Sequence, residues 1–236
     1  TGGTSHSSLV TELTQGNTYN FYVRCRDTSP QANTNNDDYQ ISFAVASKAV
    51  RVSITSQVAA SADDARYRVD NCNANVLNQF ISTGNMVVGK AGGSCYDAEY
   101  RFANVTIPKG ATIEDVRIQL YVPYISGTSG QTAATQIYFE NSANPQNYAS
   151  ATFARRDRSR TSGFVWLNLT RDFSPLNVFY NTSNMASVFQ ELYSLYNYES
   201  GAPVAVIHLA NLTTTSPDAA FNLETYDSNP LKAPKL

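Results

Sequence analysis

The chain has 236 residues, a formal net charge of −2 and 15% charged side chains, so no global field draws it to nucleic acid or to an anionic membrane. Its polar share comes from Ser, Thr, Asn and Gln, joined by 15 Tyr, a composition common outside cells. No apolar run approaches the length that spans a bilayer, and the size suits one large β-domain with a fragment of a second.

Residues 1–46 read as a first unit. Tyr19, Phe21, Val23 and Cys25 alternate with Asn20, Tyr22, Arg24 and Arg26, and a loop rich in Asn and Asp leads to a second run through Tyr39, Ile41, Phe43 and Val45. Period-two alternation marks strands with one buried face, so this is a predicted hairpin, with Cys25 a small buried hydrophobe. Two strands alone have unpaired edges and are marginal in water. Residues 47–55 carry Val50, Val52 and Ile54, a linking strand, and residues 56–236 form the main domain. Thr1 is not a natural start, so the chain reads as an internal piece of a longer protein whose targeting signal lies elsewhere.

Cys72 and Cys95 bracket a loop-rich stretch that needs cross-bracing if it lies at the surface. A disulfide closing about two dozen residues removes roughly 3 kcal/mol of unfolded-chain entropy and fits an oxidising compartment. The alternative is two buried thiols that never meet. From Tyr100 to Val122, two alternating runs flank a turn at Pro108–Gly110, and they are predicted to pair at the centre of an antiparallel sandwich. Further strands follow at Gln136–Glu140 and Ala151–Ala154, and beyond the basic turn Arg155–Arg160 comes GFVWLNL, with Phe164 and Trp166 expected in the core. Met185, Val188, Phe189, Leu192, Leu195 and Tyr196 recur at helical spacing, with Ser183 or Asn184 to cap the start and Gly201 and Pro203 to end it. Val204–Leu209 and Phe221–Thr225 are the last strands.

Two resemblances rest on these residues. The pattern L-x-x-G-x-x-Y followed by YVRCRD resembles the last strands of a fibronectin type III domain, in which the tyrosine, here Tyr19, bonds to upstream backbone. From Ser56 onward the ordered landmarks Asp63-Asp64-Ala65, YRFANVTIPKGATIEDVRIQLYV, IYFE, Trp166, the QEL helix with SGAPVAVI, and TYDSNPLKAPKL resemble a DNRLRE-type jelly roll of secreted and surface proteins. That resemblance implies a jelly-roll β-sandwich, and it says little about activity.

Candidate chemistry is sparse. Termini meet in a jelly roll, so Asp63, Asp64 and Asp227 are expected to share a structural Ca2+ ion, against the plainer reading of capped turns. Tyr121 and Tyr124, if outward, make a small platform on which sugar rings stack, whereas rim tyrosines of a sandwich core would do nothing of the kind. Arg156 and Arg158, in the basic turn, match acidic or sulfated glycan, although such turns are more often solvated. His6 and His208 have no metal-ligand spacing, and Glu140 and Glu191 carry no mark of an acid–base pair. Asn104, Asn168, Asn181 and Asn211 stand in N-x-S/T sequons.

The expected protein is an all-β, secreted or cell-surface, non-catalytic module: a fibronectin-III-like hairpin, then a jelly-roll β-sandwich with one helix. Its expected work is adhesion or glycan binding. The rival readings are a structural subunit of a fibre or pilus-like filament, built from neighbouring copies by strand addition, and the accessory carbohydrate-binding module of a polysaccharide-degrading enzyme.

Overall fold

The computed structural model describes residues 7–27, 29–73, 84–149, 158–212 and 218–236, with the backbone of Leu77–Phe80. It divides into two units, Thr1–Ser53 and Ile54–Leu236.

In the first unit, β1 (Thr18–Val23) pairs antiparallel with β2 (Tyr39–Ala44), with Thr18 opposite Ala44 and Val23 opposite Tyr39. Residues opposite one another share a face, so Tyr19, Phe21 and Phe43 line up. Phe43 stacks on Phe21 at 5.7 Å and on Tyr19 at 6.2 Å. The Thr14 backbone N–H donates to the Tyr19 hydroxyl at 2.7 Å, the upstream contact expected of that residue. Cys25 does not enter a core: it lies beyond β1, exposed, because the alternating run leaves the ladder two residues earlier. Residues 47–55 form no strand.

The second unit holds β3 (Asp64–Val69), β4 (Leu77–Phe80), β5 (Met86–Ala91), β6 (Ser94–Val105), β7 (Gln119–Val122), β8 (Tyr124–Gly127), β9 (Thr132–Phe139) and β10 (Val165–Thr170). After them come β11 (Val178–Asn181), the helix α1 (Ala186–Tyr193), β12 (Ala202–Ala210) and β13 (Ala219–Leu223). Among the described residues every strand pairing is antiparallel. A nine-stranded sheet runs β10-β9-β12-β6-β5-β13-β8, with β3 and β4 attached at β6, and it curls without closing into a barrel.

The long strand β6 organises this sheet. On one edge it carries β3 unbroken from Cys95 to Tyr100. Its other edge therefore serves two strands in succession, β5 at residues 94–96 and β12 from Ala98 onward. The sheet forks there. One leaf continues as β12, β9 and β10, the other as β5, β13 and β8, and the main core lies between them: Phe102, Ile137, Phe139, Val204 and Val206 against Met86, Val88, Phe221 and Leu223. Each such side chain contributes about 1.5–3 kcal/mol on burial, so this seam dominates stability. The sandwich-like packing follows from the fork. Close approach of β13 to its neighbours requires glycine on both sides, since a Cβ at Gly89 or Gly127 would strike the backbone of Ala219 or Asp218.

The predicted central pair is not a pair. The turn is there, with Ala111 N–H donating to Pro108 C=O, but β7 pairs with β11 in a separate two-stranded sheet and not with β6. Both runs need a buried face, and alternation alone does not say which neighbour supplies it. The helix starts one residue later than the expected cap, its N-cap being Met185, and Asn184 Oδ1 just ahead of it accepts from Ala186 N–H at 2.8 Å and from Val116 N–H at 3.0 Å. Met185, Val188, Phe189 and Leu192 are buried, with Phe189 edge-on to Phe139. It ends at Tyr193, leaving Leu195 exposed, because the chain tightens there into a turn on Leu192 C=O. Cys72 and Cys95 are bridged, tying the end of β3 to the start of β6. Among the described residues no helix is long and apolar enough to cross a membrane.

Candidate functional site

The outer face of the β10–β9–β12–β6 leaf carries the densest polar chemistry. Along β9, Ala133, Thr135, Ile137 and Phe139 turn inward, leaving Gln136 and Tyr138 on the outside. On β10, Leu167 and Leu169 enter the core, so Trp166 and Asn168 face out. Trp166, expected in the core, is thus 46% exposed on the last strand of the leaf. Phe164 lies beside it at 5.5 Å, and Tyr138 packs on Phe164 at 5.0 Å. The Arg160 guanidinium lies over the far side of Tyr138 at 5.1 Å. The result is a row: Trp166, Phe164, Tyr138, Arg160.

A polar pocket adjoins the Arg160 end, since Arg160 forms an antiparallel bridge with Glu140. Glu140, Asn141, Ser142, Asn144, Gln146, Arg158 and Ser159 line a cavity of about 330 Å³. Its floor is an ion cluster. Arg158 Nη1 donates to Glu140 Oε2 at 2.6 Å, lies 3.9 Å from Glu99 Oε2, and its guanidinium covers the buried Tyr148 ring at 5.2 Å. Burial raises the Glu140 carboxyl above its usual range, against the pull of Arg158. Burial pushes the Arg158 guanidinium down, but Glu99 and Glu140 more than offset that. Arg101 pins the loop to the sheet, bonding Pro145 C=O at 2.8 Å and Asp63 at 2.7 Å, while Tyr148 N–H donates to Ala62 C=O. Tyr196 O–H reaches Asn141 Oδ1 at 2.7 Å and fixes that amide at the rim. Such a site presents fixed hydroxyl-matching donors and acceptors beside flat apolar rings.

The residues singled out from sequence are distributed differently. Tyr121 is 9% exposed, its edge against Phe179 and its face covered by Lys232 at 4.0 Å, so it offers no open ring face; Tyr124 is exposed on β8. Arg158 is not a solvated surface arginine but a buried one, and Arg156 lies outside the described residues. The strand expected at Ala151–Ala154 also lies outside them.

Asp63, Asp64 and Asp227 do converge on one corner. Asp63 is held by Arg101, Ser61 O–H donates to Asp227, and Asp64 Oδ2 accepts from Tyr226 N–H at 2.8 Å. Asp64 is fully buried and its Oδ1 has no hydrogen-bond partner. Burial, opposed by the Tyr226 N–H and reinforced by Asp227 and Asp63, pushes its carboxyl up to about 7. Among the described residues no group of three or more His, Cys, Asp or Glu side chains is arranged to hold a metal ion.

On the inner face, His208 is a satisfied core residue. Thr135 Oγ1 donates to Leu167 C=O, so it accepts from His208 Nε2–H at 2.7 Å, and Nδ1 accepts from Tyr100 O–H at 2.7 Å. Glu191 is equally structural, accepting from the Ser162 and Gly163 backbone N–H groups.

What the sequence reading missed is the row of rings. In GFVWLNL both alternating sets are apolar, so the pattern does not choose a face; the signal available was that Leu167 and Leu169 extend the inward set by one more residue. Neither a scan against protein-family models nor a search of curated proteins finds a match to this chain.

Proposed function

We propose that the chain is a non-catalytic, extracellular or surface-exposed module that binds glycan on the exposed Trp166 and Phe164 rings, with the Glu140–Arg158 pocket beyond the buried Tyr138 taking a second sugar unit. The observation that carries this reading is the exposed Trp166–Phe164 pair, linked through the buried Tyr138 ring and Arg160 to the pocket: exposed ring faces suit the C–H side of pyranose rings, and the amides, hydroxyls and carboxylate of the pocket suit their O–H groups. A pocket of this size, near the low end for small-molecule sites, suits a ring or two and not a long chain in cross-section. The disulfide supports an oxidising compartment. We read the forked sheet as a jelly roll and the first unit as fibronectin-III-like, in line with the sequence landmarks; the expected Ca2+ is not carried further, since Asp63 is held by Arg101 and burial favours the protonated form of Asp64.

The test is retention on a panel of immobilised polysaccharides. Trp166→Ala and Phe164→Ala alter exposed rings and leave the fold intact, so each should lower retention at least tenfold, as loss of one stacked ring worth about 1.4 kcal/mol or more requires. Unchanged retention of both variants, or no retention of the parent chain on any glycan, sinks the proposal.

A further inference from the structure

The cations around the polar pocket are answered from within the chain. Among the described residues, Arg158 is the one basic side chain that lines it. Its Nη1 lies 2.6 Å from Glu140 Oε2 and 3.9 Å from Glu99 Oε2, and the Tyr148 ring sits under its guanidinium. One carboxylate cancels that charge, and a second stands behind it. Arg101, which holds the same loop, is matched by Asp63 at 2.7 Å, and Arg160 lies over the Tyr138 face on the ring side of the site. Apart from Glu140, the other lining groups are neutral. Tyr196 O–H fixes Asn141 Oδ1, so the N–H groups of this amide are what it offers the cavity. Ser142 Oγ accepts from Asn144 N–H at 3.3 Å and keeps its own proton to donate. Gln146 Nε2 donates to Asn144 C=O at 3.2 Å and leaves Oε1 to accept.

We infer that the sugar unit this pocket takes is uncharged and that the pocket selects against uronate and sulfate groups, an inference that rests on the glycan reading above. An anion entering the pocket meets the Glu140 carboxylate, and the guanidinium on the wall already has a carboxylate on it. To reach Arg158 it must displace Glu140, which strips a half-buried carboxylate of its cation. A ring bearing only hydroxyls makes the opposite match. Its O–H groups donate to Glu140 and Gln146, and its hydroxyl oxygens accept from Asn141 and Ser142. Discrimination of this kind comes from the repulsive element as much as from the attractive ones. The basic turn, expected from sequence to grip acidic glycan, thus works in reverse at Arg158: it holds an acceptor carboxylate in place for a neutral ring.

The experiment compares retention of the chain on immobilised neutral polymers (xylan, mannan, cellulose) and acidic ones (pectate, alginate, dextran sulfate). It is run at about 0.15 M salt, where loose attraction to polyanions is screened. The parent should be held by a neutral polymer and pass the acidic ones. Glu140→Gln keeps an oxygen for Arg158 to bond and removes the repelling charge, so the ratio of acidic to neutral retention should rise about tenfold. Urea unfolding checks that the variant is folded, and the ranking of the parent across the polymers needs no variant at all. A parent held as well by the acidic polymers as by the neutral ones overturns the inference and leaves the glycan reading standing. So does a folded Glu140→Gln variant whose ratio is unchanged. Retention of the parent on no polymer overturns both.

Discussion

Two polar clusters lie back to back on β6 and β12, and they solve burial in opposite ways. On the inner face, Tyr100, His208, Thr135 and the Leu167 carbonyl form an uncharged chain in which each donor has one acceptor. On the outer face, Glu99, a sequence neighbour of Tyr100 that points the other way, joins Arg158 and Glu140 in a charged cluster under a pocket. A neutral chain asks little of its surroundings and offers nothing to a ligand. A charged cluster is expensive to bury, and this one, under the pocket, is held together by the Arg158–Glu140 hydrogen bond.

Breaking the charged cluster should have the larger effect. Arg158→Met leaves two buried carboxylates without their cation and should cost about 3–5 kcal/mol in urea unfolding, partly recovered when Glu99 and Glu140 are both replaced by Gln. His208→Leu orphans the Tyr100 hydroxyl and should cost about 1–3 kcal/mol, with Tyr100→Phe recovering part of it. If His208→Leu proves the more damaging, the contrast between the faces is misdrawn.

A third effect, spread over the pH range, is a slope that two buried groups, His208 and Asp64, hide from each other. Burial holds His208 down at about 3 against 6.5, so its contribution is complete above pH 6.5 and is lost as pH falls toward 3. Asp64, raised to about 7 from 3.8, behaves inversely: its contribution is complete below pH 3.8 and is lost as pH rises toward 7. Between about pH 4 and 6.5 the two slopes, each about 1.4 kcal/mol per pH unit, cancel. Asp64→Asn should therefore unmask stability that climbs with pH across that window, read as chemical-denaturation midpoints at fixed intervals of pH. A flat profile in that variant contradicts the burial of His208 as a neutral ring.

Elements whose type did not depend on choosing a neighbour were legible in the sequence, such as the unbroken apolar run Val204–Leu209, which is buried on both faces. Val204–Leu209 falls inside β12, the run expected at Phe221–Thr225 is a strand as far as Leu223, Asn184 accepts from Ala186 N–H one residue ahead of the N-cap Met185, and the bracketing cysteines are joined. What could not be read were choices between equal partners. Both runs around Pro108–Gly110 are good strands, yet one faces β12 and the other β11, a decision made by residues some hundred and seventy to two hundred positions into the chain. Trp166 and Leu167 are equally apolar, so their faces are set by the core beneath β10. The candidate pocket was illegible for the same reason: Glu140 and Arg158 meet Glu99 only because β9 and β6 lie either side of β12.

One small clasp governs how the second unit answers a pull. Ser56 and Leu236 exchange both backbone hydrogen bonds, and Val58 N–H reaches Pro234 C=O, so the two ends run antiparallel and leave from the same side. Tension between them loads these bonds one at a time, as in opening a zipper, and not all together in shear. Beyond the clasp the next backbone bonds to open are those Lys235 exchanges with Gln119, so the terminal segment would unzip from β7 before any load reaches the forked sheet.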